Sequence, residues 1–128
     1  MQALVVDDSR AMRAILTRLM TGFGFDVVQA GDGAEALALL DGGLMPDVAL
    51  VDWNMPVMDG FEFMGHMRRL PGGDQPKVVF CTTENNVAHI AQALSGGANE
   101  YIMKPFDKDI IADKFAEVGL IPVGQAMV

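Results

Sequence analysis

A single cysteine, Cys81, stands in 128 residues, so no internal disulfide can form, and no run of Cys and His has the spacing of a zinc site. Basic residues are scarce as well. Nine Lys and Arg face seventeen Asp and Glu, and the net charge of −8 repels nucleic-acid phosphates and anionic membrane surfaces alike. Neither nucleic acid nor membrane is expected as a direct partner. No apolar run approaches the roughly 20 residues of a membrane span. The N-terminus, Met1-Gln-Ala-Leu-Val-Val6, lacks the basic region and long apolar core of a signal peptide. The expectation is a reduced, cytoplasmic protein. At 51% hydrophobic, the chain can bury one sizeable core but has no room for a second ordinary domain. One domain is expected over residues 1–121, with a frayed tail at 122–128, and a monomer is the working expectation.

Short β-branched runs alternate with helical patterns along the whole chain. The strand candidates are Ala3-Leu-Val-Val6, Asp26-Val-Val-Gln29, Val48-Ala-Leu-Val51, Lys77-Val-Val-Phe-Cys81 and Glu100-Tyr-Ile-Met103. Met12, Ile15, Leu16, Leu19 and Met20 recur at i, i+3, i+4, i+7 and i+8, which predicts a first helix with one buried face and Ser9 as its N-cap. Ala36, Leu37 and Leu40 mark a second helix, and Phe61, Met64 and Met67 a third. Val87, Ile90, Ala91 and Leu94 mark a fourth, and Ile111, Phe115 and Val118 a fifth. Gly22 and Gly24, Gly42-Gly43, Pro71-Gly-Gly and Gly96-Gly97 fall between these segments as breaks. Five β-α units in strict order predict an α/β fold, a doubly wound, five-stranded parallel sheet with five helices covering both faces. The first and third strands are apolar throughout, as central strands should be.

In an open parallel sheet, ligands bind beyond the carboxyl ends of the strands. After the first strand come Asp7 and Asp8, after the third Asp52, after the fourth Thr82 and Thr83, and after the fifth Lys104-Pro105. Taken singly, an Asp at a strand end is most often a turn former, and a Lys-Pro a surface loop. Taken together, four strand ends of five each supply a group suited to one site. Crowded carboxylates repel, so the cluster makes physical sense around a hard cation, for which Mg²⁺ is suited. The lysine then serves as a point charge for phosphate oxygens. Phosphoryl transfer asks for little more than position and electrostatic stabilisation, which a metal, an ammonium and a hydroxyl supply.

Val6-Asp-Asp-Ser-Arg10, Asp52-Trp-Asn-Met-Pro56 followed by Met58-Asp-Gly60, Thr82 and Lys104-Pro-Phe106 together resemble the bacterial response-regulator receiver domains, over almost the whole chain. The resemblance implies the strand order 2-1-3-4-5. It implies that Asp52 is the phosphoacceptor, that Asp8, Asp52 and the backbone carbonyl of Asn54 bind Mg²⁺ directly, and that Asp7 helps through water. It gives Lys104 the phosphoryl oxygens, and Thr82 a bond to the new phosphoryl group that draws its loop inward. Tyr101 would follow by rotating inward, so that Thr82 and Tyr101 form the switch. The Lys104–Pro105 bond resembles one that is cis in the family. Gly60 and Pro56 read as geometric. Asn54 and Glu84 match a pair found where the phosphate is short-lived, which implies rapid self-dephosphorylation. Thr83 departs from the family's usual small residue, and its bulk could crowd Asp52 or limit Tyr101.

Receivers often signal through the face of the fourth helix, fifth strand and fifth helix, here Ile90, Leu94, Tyr101, Met103 and Lys114. Leu94 is expected in the core, while Tyr101 and Lys114 are the better interface residues. The partners implied are a histidine kinase of the chemotaxis type and then a flagellar motor switch protein or a downstream phosphotransfer protein. The alternative is a phosphate sink or relay intermediate with no motor target. The Trp53-Asn54 pair leans toward chemotaxis.

Two rivals come from other classes. Gly31-Asp-Gly33-Ala-Glu-Ala36 reads G-x-G-x-x-A, but it follows the second strand and leaves Asp7, Asp8, Thr82 and Lys104 without a role. Aspartyl-phosphate phosphatases also use a strand-end Asp, but their D-x-D signature is interrupted here by Asn54. The reading is therefore not an enzyme acting on foreign substrates. The ten methionines are expected to be packing residues, Cys81 a buried hydrophobe, and His66 and His89 helix-surface residues.

Overall fold

A computed structural model of the chain describes residues 1–83, 86–104 and 107–120. The element order is β1 (Gln2–Val6), α1 (Arg10–Gly22), β2 (Asp26–Ala30), α2 (Gly33–Asp41), β3 (Val48–Val51), α3 (Gly60–Arg69), β4 (Lys77–Thr82), α4 (Val87–Ser95), β5 (Glu100–Met103) and α5 (Lys108–Glu117). Each expected strand is present to within a residue at either end, because an unbroken β-branched run bounded by turn residues has little alternative in water. The strands form one parallel sheet in the order β2-β1-β3-β4-β5. The doubly wound fold and its strand order are thus those expected.

Alternation along the strands divides the core in two. Ala3, Val5, Val48, Leu50, Val79, Cys81 and Ile102 face one side, where Leu16 and Met20 of α1 and Ile111 and Phe115 of α5 cover them. Leu4, Val6, Ala49, Val51, Val78, Phe80 and Tyr101 face the other, beneath Ala36 and Leu40 of α2, Phe63, Met64 and Met67 of α3, and Ala93 of α4. All five helices begin with a side-chain cap: Ser9, Asp32, Asp59, Asn86 and Asp107 each accept a backbone N–H from the first turn. Among the described residues, no helix is long and apolar enough to cross a membrane.

The helix faces correct the periodicity reading in two places. Ile15 is 48% exposed although its neighbours Leu16 and Met20 are buried, because α1 meets the sheet along a narrower stripe than the five-residue pattern suggests. On α4 the stripe is rotated. Val87 and Leu94 are 80% and 44% exposed, Ala91 is exposed, and the covered face runs through His89, Ile90 and Ala93. Leu94 is therefore not a core residue. The small Ala93 brings the helix close to the sheet, and at Gly96 an added Cβ would lie 2.9 Å from the Phe61 ring. Close approach, not side-chain bulk, sets which face turns inward. The 121–128 segment, and with it the expected domain end, lies outside the described residues.

Candidate functional site

The sheet ladder carries on one residue past three strands, and those residues are the ones that hold chemistry. Asp7 N–H donates to the Ala30 carbonyl at 3.2 Å, Asp52 N–H to that of Val6 at 2.9 Å, and Lys104 N–H to that of Thr82 at 2.9 Å. Their backbones are fixed by the fold, leaving only side-chain freedom. Carboxylate oxygens of Asp7, Asp8 and Asp52 lie within 4.8 Å of one another. Asp7 is buried, Asp52 half-buried and Asp8 exposed, so the cluster opens to solvent on one side.

Lys104 reaches into this cluster. Its Nζ lies 2.9 Å from Oδ2 of Asp7 and 3.4 Å from Oδ2 of Asp52. Burial alone would lower the lysine's pKa, but the hydrogen bond it donates to Asp7 and the charges of Asp52 and Asp7 outweigh it, and the net direction is upward. One ammonium thus lies between two of the three carboxylates.

Hard oxygen donors in this arrangement fit Mg²⁺. At the roughly 2.1 Å metal–oxygen distance, ligand oxygens sit about 3 to 4.2 Å apart, close to the spacing present. The candidate ligands are Asp7, Asp8 and Asp52; Asn54 lies exposed in the β3–α3 loop near the same edge. That loop turns sharply. Met58 N–H donates to the Pro56 carbonyl at 2.7 Å around Val57, whose φ of 71° places a β-branched residue in left-handed backbone, a strained γ-turn. It closes where Gly60 N–H meets the Trp53 carbonyl at 2.8 Å. A Cβ at Gly60 would collide with the carbonyl oxygen of Asp52, so glycine is a requirement of close approach at the entry to α3.

The remaining expected residues are placed as follows. Thr82 is fully buried at the end of β4, and Thr83 is exposed beside it. Tyr101 is buried, with its ring 6.0 Å from Phe80. Ile90 is half-buried, Met103 is 38% exposed, and Lys114 is held between Glu100 at 3.5 Å and Glu117 at 3.7 Å. In this conformation Leu94, Met103 and Lys114, not Tyr101, supply the surface of that face. Glu84 and the Lys104–Pro105 bond lie outside the described residues. The G-x-G-x-x-A segment is explained by packing. A Cβ at Gly33 would lie 3.0 Å from Met58, and the Gly31 N–H is already taken by Glu35 Oε2 at 3.1 Å.

Two features had no signal in the sequence. Arg13 of α1 turns back and its Nη1 donates to the Asp7 carbonyl at 2.6 Å, bracing the turn that carries Asp7 and Asp8. His89 is not a plain surface residue. Its ring stacks on that of Trp53, 5.4 Å between centroids and 11° between planes, while Phe61 stacks on Trp53 at 5.4 Å and 9°. Whether a helical side chain turns inward depends on the helix's rotation, which the apolar pattern of α4 misstates.

The family model for the response regulator receiver domain matches residues 3–116. The chain belongs to the response-regulator receiver family. This receiver domain is 38% identical over 119 residues to a chemotaxis protein CheY homolog of Campylobacter jejuni, covering 92% of each chain. It is 36% identical to the chemotaxis protein CheY1 of Helicobacter pylori, covering 92% of this chain and 96% of that one. Among solved structures, the chemotaxis response regulator CheY4 of Vibrio cholerae superposes with a TM-score of 0.84 at 32% identity, covering 91% of this chain and 97% of that one. Receivers are signalling domains of two-component systems, phosphorylated by histidine kinases and read by a downstream target. The family binds Mg²⁺ in an acidic pocket, and the Asp7, Asp8 and Asp52 cluster has that character.

Proposed function

We propose that this receiver is phosphorylated on Asp52 by a histidine kinase in a Mg²⁺-dependent reaction and signals by phospho-dependent protein binding in chemotaxis. The observation that carries the reading is the Lys104 ammonium between Asp7 and Asp52, in a cluster of three carboxylates at the carboxyl edge of the sheet. A carboxylate oxygen of Asp52 attacks the phosphorus of a phosphohistidine. The P–N bond breaks, the imidazole nitrogen keeps the electron pair and takes up a proton, and an acyl phosphate forms. Asp8, Asp52 and the Asn54 carbonyl would hold Mg²⁺, with Asp7 helping through water, and the ion would neutralise charge on the carboxylates and on the transferring phosphoryl oxygens. Lys104 takes another share of that charge. Water attack on phosphorus then releases orthophosphate and restores the carboxylate, with Asn54 beside the water's approach.

Thr82, buried next to the site, is the hydroxyl that senses the new group, and Tyr101 is the ring that responds. Ile90, Tyr101, Met103 and Lys114 form the proposed partner face. The chemotaxis assignment rests on the relatives, whose names are those of chemotaxis proteins. With it goes the proposal of a cytoplasmic protein that meets a kinase of the chemotaxis type and a flagellar motor switch protein.

The test is labelling with acetyl phosphate. Intact-mass analysis should show one added phosphoryl group with Mg²⁺, none in EDTA and none in Asp52→Asn. Label on another residue, or full labelling without a divalent cation, would overturn the reading. Binding to a purified motor switch protein should rise on phosphorylation. A labelled protein with unchanged affinity for it would instead mark a sink or relay component.

A further inference from the structure

The aromatic cluster beside Asp52 carries one step more. Trp53, the residue after Asp52 and 7% exposed, is the chain's only tryptophan. Its indole stacks with both Phe61 of α3 and His89 of α4, each within 11° of parallel, and it also meets Phe80 of β4 at 5.2 Å. Phe80 in turn meets Tyr101 at 6.0 Å. Rings in contact therefore run from the neighbour of Asp52 to α4 on one side and to Tyr101 on the other.

Helix α4 is shallowly seated. Its one buried side chain is Ala93, with His89 and Ile90 half-buried, whereas α3 and α5 each bury two or more large side chains. The far end of the helix is tied down: the Gly97 carbonyl accepts from Arg68 Nη2 at 2.7 Å, and Gly96 abuts the Phe61 ring. Near the opposite end, the large aromatic contact is the imidazole on Trp53. A stack of this kind contributes beyond its buried area and is sensitive to small displacements of either ring.

Resting on the phosphorylation reading above, we infer that His89 is a positioning residue that couples Asp52 to α4, its imidazole seated on Trp53 so that a shift of the acceptor loop moves the first turns of the helix. Histidine suits the position in shape: it is flat enough to stack on the indole, with its Nδ1 buried.

The experiment uses the full chain as wild type, His89→Ala and His89→Phe, with Trp53 fluorescence and amide exchange along α4. Without phosphorylation, His89→Ala should shift Trp53 emission and speed exchange in residues 89–94 by about 2- to 10-fold, the range a lost aromatic stack supports, while α5 stays unchanged. His89→Phe should restore wild-type exchange. With acetyl phosphate and Mg²⁺, all three proteins should label on Asp52 to the same extent. Wild type and His89→Phe should change α4 exchange on labelling, and His89→Ala should not. If His89→Ala exchanges like wild type unlabelled, or responds like wild type when labelled, the inference is overturned. If wild type does not label, it is the phosphorylation reading that has failed, and the unlabelled arm still judges the stack.

Discussion

Lys104 is where opposing electrostatic effects meet on one atom. Its hydrogen bond to the buried Asp7 carboxylate, 2.9 Å long, gives that carboxylate a charged donor it could not replace by turning toward water. Lys104→Ala should therefore lower the stability of the metal-free protein by about 1–3 kcal/mol, read as a lower urea midpoint in EDTA. Saturating Mg²⁺ should narrow the gap, since a second cation then serves the same carboxylates. An equal midpoint in EDTA would show that the ion pair contributes nothing. The variant is also expected to take label from acetyl phosphate yet fail to raise partner affinity, because the link from phosphoryl group to switch is gone. A second residue-scale effect concerns Cys81. Burial pushes its thiol up to about 12 from an ordinary 9.0; Asp7 and Asp52 add to this and Lys104 opposes it. A folded-state pKa above the unfolded one means that protonated Cys81 favours the folded state. Its contribution is complete below about pH 9 and is lost as pH climbs toward 12. The stability difference between wild type and Cys81→Ala should thus shrink as pH rises from about 9 toward 12, the window between the unfolded and folded pKa values. A constant difference across that range would contradict the assignment.

Helices and loops differ in how firmly they are held, and Arg68 shows how one side chain joins several of them. From the end of α3 its Nη1 donates to the carbonyls of Gly73 at 3.0 Å and Pro76 at 2.6 Å, and its Nη2 to the Gly97 carbonyl at 2.7 Å and Asn99 Oδ1 at 3.2 Å. Asn99 Oδ1 also accepts from the Val78 N–H at 2.9 Å, so the α3–β4 and α4–β5 connections share one guanidinium. Burial lowers the Arg68 pKa against the opposing charge of Asp74, but a guanidinium stays protonated throughout. Arg68→Ala should cost about 2–3 kcal/mol, since these charge-assisted bonds are only partly replaced by water. Arg68→Lys should recover little, a lysine being unable to span carbonyls on both connections. Denaturant midpoints for the two variants within a few tenths of a molar of wild type would disprove the clamp. The same scale explains what the sequence could disclose. Strands such as Val48–Val51 were legible because buried runs admit one reading, and Asp7, Asp8, Asp52 and Lys104 because any residue just past a parallel strand points into the same edge. The inward face of α4 was not legible. Val87 and Leu94 make a regular apolar stripe, yet packing distance is set by Ala93 and Gly96, and small residues leave no hydrophobic signature. Arg13 was missed for a related reason, since a long side chain on a half-buried face can turn toward solvent or back onto the strand end with the same local sequence.

At the scale of the whole molecule, two electrostatic effects would both make added salt stabilising, and they have to be separated. The net charge of −8 gives a diffuse self-repulsion that any electrolyte screens over roughly 10 Å at 0.1 M. The three-carboxylate cluster adds a local repulsion that Lys104 offsets in part and a bound cation would relieve further, while bulk salt screens it little, because its oxygens lie within 4.8 Å of one another, well inside that screening length. A cation bound only by the folded state stabilises by RT ln(1 + [L]/Kd), about 2.7 kcal/mol at one hundred times Kd. In a domain of this length that raises Tm by roughly 10 °C. Thermal melts in MgCl₂ should therefore rise well above melts in NaCl of matched ionic strength, and the excess should saturate. In Asp8→Asn the MgCl₂ curve should fall most of the way to the NaCl curve. In Asp52→Asn the excess should fall as well, since either substitution removes one of the three carboxylates from the cluster. Screening alone makes the opposite forecast: the curves would coincide in wild type, and each substitution would raise Tm in both salts by removing one negative charge from a chain already too acidic. Coincident wild-type curves would mean that the acidic edge of the sheet is tuned by ionic strength and holds no specific ion, and the phosphotransfer reading would lose its metal.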